Sequence, residues 1–261
     1  MVRTYSLTVA PNGAKLRKSA HGAVPTTEKE LVETAKACFD AGARMIHLHI
    51  REDDESHSLD GARYRSAIAA IQKAVPDVAI QITTESGGKY EVAEQLDCIR
   101  EVKPDAASVA AREIARDAAL IKEFYHSANA LGVDLQHIVY SPEDLDMLLA
   151  WIEDGTVPGE THDILIVLGR YTDGELAKPE DLDVFLPKVG NSRFRWTACA
   201  FGKHEQACLL AALRAGGNAR IGFENNTVAP DGTVFSDNSA SVASFVRAAA
   251  EQGFQVKGLA A

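Results

Sequence analysis

Eight times along this chain an apolar run of strand length is followed by a stretch of helical periodicity, and that alternation limits what the chain can fold into. Strands read over residues 5–10, 44–50, 78–84, 105–110, 135–141, 163–169, 193–200 and 219–224. The helices between and after them read over 28–41, 62–73, 90–102, 115–131, 142–153, 180–186, 204–215 and 238–252. Two starts carry local signals: Thr27 with Glu30 has capping-box spacing, and Pro142 stands where a helix favours a first residue. A length of 261 residues alone allows one large domain or two smaller ones. Eight βα units in that length match a (β/α)₈ TIM barrel of the α/β class, expected as one domain over residues 1–261. The near-continuous apolar character of the fifth and sixth strands suits a parallel sheet covered by helices, and no G-x-G-x-x-G fingerprint argues for a dinucleotide fold.

A barrel places its chemistry at the C-terminal ends of its strands, which directs attention to the segment MIHLHIRED. His47 and His49 are two residues apart near the end of the second strand, so both side chains point to one face and can converge on one metal ion. The bland alternative is one packed and one capping imidazole. Glu224, closing the eighth strand, is the best candidate for a third ligand; a rim salt bridge is its ordinary explanation. Two imidazoles and a carboxylate suit zinc, with non-haem iron or manganese also compatible. Other polar residues fall on the same predicted rim: Asn12, Thr83, Thr84, Glu85, Ser108, Arg112, Tyr140 and Ser141. Arg220, four residues before Glu224, is read either as its ion partner or as a carboxylate clamp. His137 and His162 are read as structural, and His21, His57, His126 and His204 as loop or helix-surface residues.

A formal net charge of −10 argues against a broad grip on nucleic acid or anionic membrane, so an anionic ligand needs a local basic pocket. The four cysteines lie singly in apolar segments without C-x-x-C spacing and are read as reduced and buried. Charged residues break every apolar run before 18 residues, and a soluble cytoplasmic protein is the expectation.

The segments TVAPNGA, AGARMIHLHIRE, QITTESGG, YSPEDL, FGKHE and GGNARIGFENN, in that order along nearly the whole chain, resemble the β-keto acid cleavage enzymes, relatives of 3-keto-5-aminohexanoate cleavage enzyme. The resemblance implies a TIM barrel, usually tetrameric, with a divalent metal, typically zinc, on His47, His49 and Glu224. It implies an exchange in which a β-keto acid and acetyl-CoA give acetoacetate and the CoA thioester of the remaining acyl group. In the implied mechanism the metal acts as a Lewis acid on the keto group, C2 loses a proton, and carbon–carbon cleavage follows as a retro-Claisen step.

Arg220 matches the family's active-site arginine, and Thr83 falls where the family places a hydroxyl residue that orients a proton or water. Two positions depart from the family pattern. Asn225 replaces an Asp after the metal-binding Glu and cannot serve as a base, though it could donate to an enolate. Lys15 replaces an acidic residue in the first loop. Glu85 is then a candidate for the base. Asn12, Lys15, Thr84, Ser108 and Arg112 are candidates for substrate binding, and Lys15 or Arg112 would favour a substrate with a second negative charge. Lys15, Arg17, Lys18, Arg51, Lys89 and Arg112 are candidates for meeting the phosphates of CoA.

Two rivals remain. An amidohydrolase-like metal hydrolase also uses H-x-H at a strand end, but usually after the first strand and with further histidines after the fifth and sixth. A barrel kept as a non-catalytic binding protein is the other.

Overall fold

A computed structural model describes residues 2–169, 176–190 and 193–259. Its centre is a closed barrel of eight parallel strands: β1 (Leu7–Val9), β2 (Met45–Leu48), β3 (Ala79–Thr83), β4 (Ala106–Ala110), β5 (Asp134–Val139), β6 (His162–Leu168), β7 (Phe194–Ala200) and β8 (Asn218–Ile221). Sequence neighbours pair throughout, and β8 closes on β1 with Arg220 opposite Thr8. The helices are α1 (Glu28–Asp40), α2 (Gly61–Ala74), α3 (Val92–Val102), α4 (Ala111–Ile114), α5 (Ile121–Ala130), α6 (Pro142–Glu153), α7 (Leu186–Val189), α8 (Glu205–Arg214) and α9 (Asn238–Glu251).

Two packed layers result. Outward-facing strand residues such as Ile46 and Leu48 bury against helix residues such as Ile71, Leu96 and Phe124, forming the main core. Inside the barrel a smaller apolar group, Ala110, Ile138, Leu165, Val167, Cys199 and Phe201, fills the side occupied by β4 to β7. The opposite interior is polar, and it holds the site. All four cysteines are buried and free.

The local signals operate as expected. Thr27 Oγ1 accepts from the Glu30 N–H at 3.3 Å while Glu30 Oε2 accepts from the Thr27 N–H at 3.1 Å, and Pro142 opens α6 behind the Ser141 cap. Three elements differ from the sequence reading. The helix expected over 115–131 begins only at Ile121, as α5, because Asp117 accepts from the Ala119 N–H and offers the backbone a turn in place of helix; the separate short α4 precedes it on residues read as loop. The short helix at 180–186 is a 3₁₀ turn, Pro179–Leu182, followed by α7.

The eighth strand stops at Ile221 instead of running to Glu224: Gly222 has φ +139°, and the chain turns there. Outside the barrel, Arg3–Tyr5 pairs in parallel with Phe254–Val256, and Ile50–Arg51 pairs with His57–Ser58 just beyond β2.

Candidate metal centre and cavity

β2 delivers His47 from its last turn of pleat and His49 one residue past its end, both buried. Their Nε2 atoms lie 3.2 Å apart. Glu224 approaches from the turn after β8, with Oε2 3.7 Å from His47 Nε2 and Oε1 3.5 Å from His49 Nε2. One ligand atom from each of the three lies within 4.8 Å of the others, a spacing that could hold a metal ion.

The protonation pattern suits a cation. His47 Nδ1 faces the Gln81 side-chain oxygen Oε1 at 2.8 Å, so it carries the proton and Nε2 presents a lone pair. Burial, reinforced by the charge of Arg220, lowers the His47 pKa to about 3 and keeps the ring neutral. Burial alone would raise the Glu224 pKa; Arg220 and the two imidazoles outweigh it and hold the carboxylate well below its ordinary range. The His47 lone pair and the Glu224 carboxylate charge thus converge beside the His49 ring, an arrangement that a divalent ion satisfies.

Close packing explains the glycines around the triad. A Cβ on Gly13, at φ +56°, would stand 2.5 Å from Glu224 Cγ, so the first loop leaves that space to the carboxylate. Arg220 and Glu224 meet through the turn, not along a strand, with Nη2 3.6 Å from Oε1. Both expected readings of Arg220 therefore remain open: it pairs with Glu224, and its Nε and Nη1 are buried without a partner among the described residues.

The turn itself is braced from below. Glu205, buried at the start of α8, accepts from the Gly222 N–H at 3.4 Å and from Asn226 Nδ2 at 3.1 Å. Asn238 accepts from the Phe223 N–H at 2.9 Å and donates to the Pro11 carbonyl at 3.0 Å. Glu205→Ala removes the acceptor for two buried donors, at a cost of about 1–3 kcal/mol each. Its expected result is a lower Tm and about tenfold weaker metal binding, measured by thermal unfolding and metal titration. A wild-type metal affinity would mean that the turn holds its shape without the brace.

A cavity of about 390 Å³ opens over the triad, lined among others by Lys15, His49, Glu85, Arg112, Glu113, Tyr140, Val167, Phe201, Arg220 and Glu224. Glu85 is half-buried there. Its Oε1 accepts from the Tyr140 hydroxyl, and its N–H and carbonyl are held by Thr83 Oγ1 at 3.1 Å and His57 Nε2 at 2.8 Å. Burial raises the Glu85 pKa to about 7, against the lowering effect of the Tyr140 hydrogen bond.

Of the other residues expected on the rim, Ser141 caps α6, and Asn12, Thr83, Thr84 and Ser108 are buried behind this lining. Asn12 Nδ2 donates to the Pro25 and His49 carbonyls, Thr84 Oγ1 donates to the Ser108 carbonyl, and the Ser108 hydroxyl reaches Thr83 Oγ1 at 3.3 Å. Their polar atoms face backbone and one another because the strand ends pack closely there. Asn225 is buried with neither side-chain polar atom hydrogen-bonded among the described residues.

Two assignments from the sequence are corrected. Arg51 is not a mouth cation: it is buried, and its guanidinium donates to the carbonyls of Asn12, Ala14, Leu16 and Glu55. His57 is not a surface residue: it is buried on the short strand after β2, its ring centroid 5.2 Å from that of His49. Gln81, the support of His47, was missed; a lone Gln inside the apolar third strand was the available signal.

The closed barrel and the buried His-His-Glu cluster at its strand ends define a TIM-barrel protein with a candidate metal centre. The profile of the β-keto acid cleavage enzymes matches residues 5–260, and the chain belongs to that enzyme family. It is 30% identical over 264 residues to the 3-keto-5-aminohexanoate cleavage enzyme of Fusobacterium nucleatum subsp. nucleatum, covering 98% of this chain and 95% of that one. It is 28% identical over 265 residues to the 3-oxoadipate:acetyl-CoA acetyltransferase of Cupriavidus necator, covering 97% and 91%. Among solved structures, ObcA in its binary complex with oxaloacetate superposes with a TM-score of 0.69 at 13% identity, a likeness of fold. The match covers 90% of this chain and spans 65% of the ObcA chain.

Proposed function

We propose that this enzyme exchanges a β-keto acid with acetyl-CoA, releasing acetoacetate and the CoA thioester of the remaining acyl group, with zinc held by His47, His49 and Glu224. The observation that carries the reading is the convergence of two imidazole nitrogens and an ionised carboxylate beneath a cavity in a member of this family. When bound, the ion would supply Lewis-acid polarisation of the keto group, which acidifies the protons at C2.

The chain's own residues do the rest. Gln81 fixes the His47 tautomer, and Asn12 holds the backbone carbonyl of His49. Arg220 offers to the substrate carboxylate two buried nitrogens that no other described residue hydrogen-bonds. Glu85 is the base for the C2 proton: Tyr140 holds one oxygen, the other has no hydrogen bond among the described residues, and the backbone is fixed on both sides by Thr83 and His57. Thr83 and Ser108 are thereby positioning groups for Glu85, and Asn225 is available to donate to charge developing on the substrate. The homotetramer and cytoplasmic location belong to the same proposal and rest on the sequence resemblance and the broken apolar runs.

The test follows acetoacetate release from metal-loaded protein, acetyl-CoA and a panel of β-keto acids across pH. A base must be deprotonated to act, so with a Glu85 pKa of about 7 kcat/KM should climb about tenfold per pH unit below 7 and level off above it. Glu85→Gln should lower the plateau by about 10²–10⁴-fold and remove the pH dependence. No acetoacetate from any keto acid, with metal bound, would overturn the exchange reading. A wild-type pH profile in Glu85→Gln would move the base elsewhere.

A further inference from the structure

The cavity carries two guanidinium groups in different settings. Arg220 lies buried at the triad; Arg112, the second residue of α4, is exposed where the cavity opens. The Arg112 guanidinium stacks 3.6 Å above the centroid of the Tyr140 ring. That ring is fixed in turn, because its hydroxyl is tied to Glu85.

No carboxylate among the described residues forms an ion pair with Arg112. The adjacent Glu113 is turned instead toward Ser86, accepting from its N–H and hydroxyl at 2.7 Å each, and toward Gln95 Nε2 at 2.8 Å. Val167 and Phe201 supply apolar wall in the same cavity, and Lys15 adds a third positive side chain to its lining. A pre-oriented guanidinium facing a cavity, with the adjacent Glu113 engaged elsewhere, is a receptor for an anion.

We infer that the cavity takes a β-keto acid bearing a second carboxylate at its far end, recognised by Arg112, while Arg220 takes the carboxylate next to the ketone. This inference rests on the exchange reading above for the identity of the reacting end. A bidentate contact between a stacked guanidinium and a carboxylate corresponds to a preference of about tenfold to a hundredfold over an uncharged end.

The experiment compares a β-keto diacid with the β-keto monoacid of equal carbon number, each with acetyl-CoA. It uses wild type, Arg112→Gln and Arg112→Lys, and records KM for acetyl-CoA in every case. In parallel, thermal shifts of the metal-loaded protein are measured with glutarate and with butyrate, neither of which can react.

Wild type should favour the diacid in kcat/KM by at least about tenfold, and Arg112→Gln should erase most of that ratio, with Arg112→Lys intermediate. Glutarate should stabilise wild type more than butyrate does, and Arg112→Gln should lose the difference. An unchanged ratio in Arg112→Gln, or a wild-type preference for the monoacid, would overturn the inference. So would a loss shared equally by both keto acids with a raised KM for acetyl-CoA, which would assign Arg112 to the phosphates of CoA. If no keto acid turns over while glutarate still distinguishes wild type from Arg112→Gln, the exchange reading fails and the anion subsite stands.

Discussion

Glu224→Gln is expected to abolish metal binding at the His-His-Glu cluster and nearly all turnover. The amide has almost the shape of the carboxylate, so the loss would report charge and not packing. Glu224 carries the sole negative charge of the His-His-Glu cluster, and its oxygens face His47, His49 and Arg220 at 3.5–3.7 Å. A neutral amide placed there leaves both a bound cation and Arg220 without the balancing negative charge. Substituting an outer partner of a metal ligand typically weakens binding about 10–100-fold, and removing a ligand charge should exceed that.

A second consequence is independent of activity. Arg220 is buried, and Glu224 is the acidic partner that keeps it charged against the effect of burial. Breaking such a pair typically costs about 3–5 kcal/mol, so the metal-free variant should also unfold at lower temperature than metal-free wild type. Metal content after dialysis and calorimetry of both metal-free forms check the two parts. Full metal occupancy in Glu224→Gln would remove Glu224 from the ligand set.

Gly222→Ala is expected to destabilise the fold itself, although the residue touches no substrate. At φ +139° the added Cβ would stand 2.4 Å from the Ala10 carbonyl oxygen, 2.9 Å from its carbon and 3.1 Å from the Ala10 nitrogen. Those are backbone atoms and cannot rotate aside. The same Ala10 carbonyl accepts from the Glu224 N–H at 3.1 Å, and the Ala10 N–H donates to the Ile221 carbonyl at 2.8 Å. One methyl group therefore wedges open the seam where β8 meets β1 and shifts Glu224 with it. Backbone strain of about 1–3 kcal/mol and overpacking of about 1–3 kcal/mol together threaten a sizeable share of an ordinary domain's stability. Urea unfolding should show a lower midpoint with unchanged slope. A midpoint equal to wild type would show that the seam can yield.

The barrel was legible because its signals are local and periodic: eight apolar runs, a capping box at Thr27 and Glu30, a proline at the head of α6. The cluster of His47, His49 and Glu224 was legible because strand geometry fixes which way H-x-H points and the fold fixes which ends meet. Loop paths are set by contacts distant in sequence, and there the reading failed. Arg51 looked like any loop cation until four carbonyls closed around it, and His57 became an inner residue only through the short pairing of His57–Ser58 with Ile50–Arg51. The turn that delays α5 to Ile121 was equally hidden, since Asp117 competes with the helix by one side-chain bond that periodicity does not register.

The carbonyls of Ala14 and Leu16, on either side of Lys15, are both anchored by the single guanidinium of Arg51. Position 15 is thus a tool socket: its mount is clamped by an atom set that does not include its own side chain. The residue there lines the cavity while Arg51 holds the backbone on either side of it. A lineage could on that basis change the lining of the cavity by single codon steps, with the barrel and its His-His-Glu cluster left as they were.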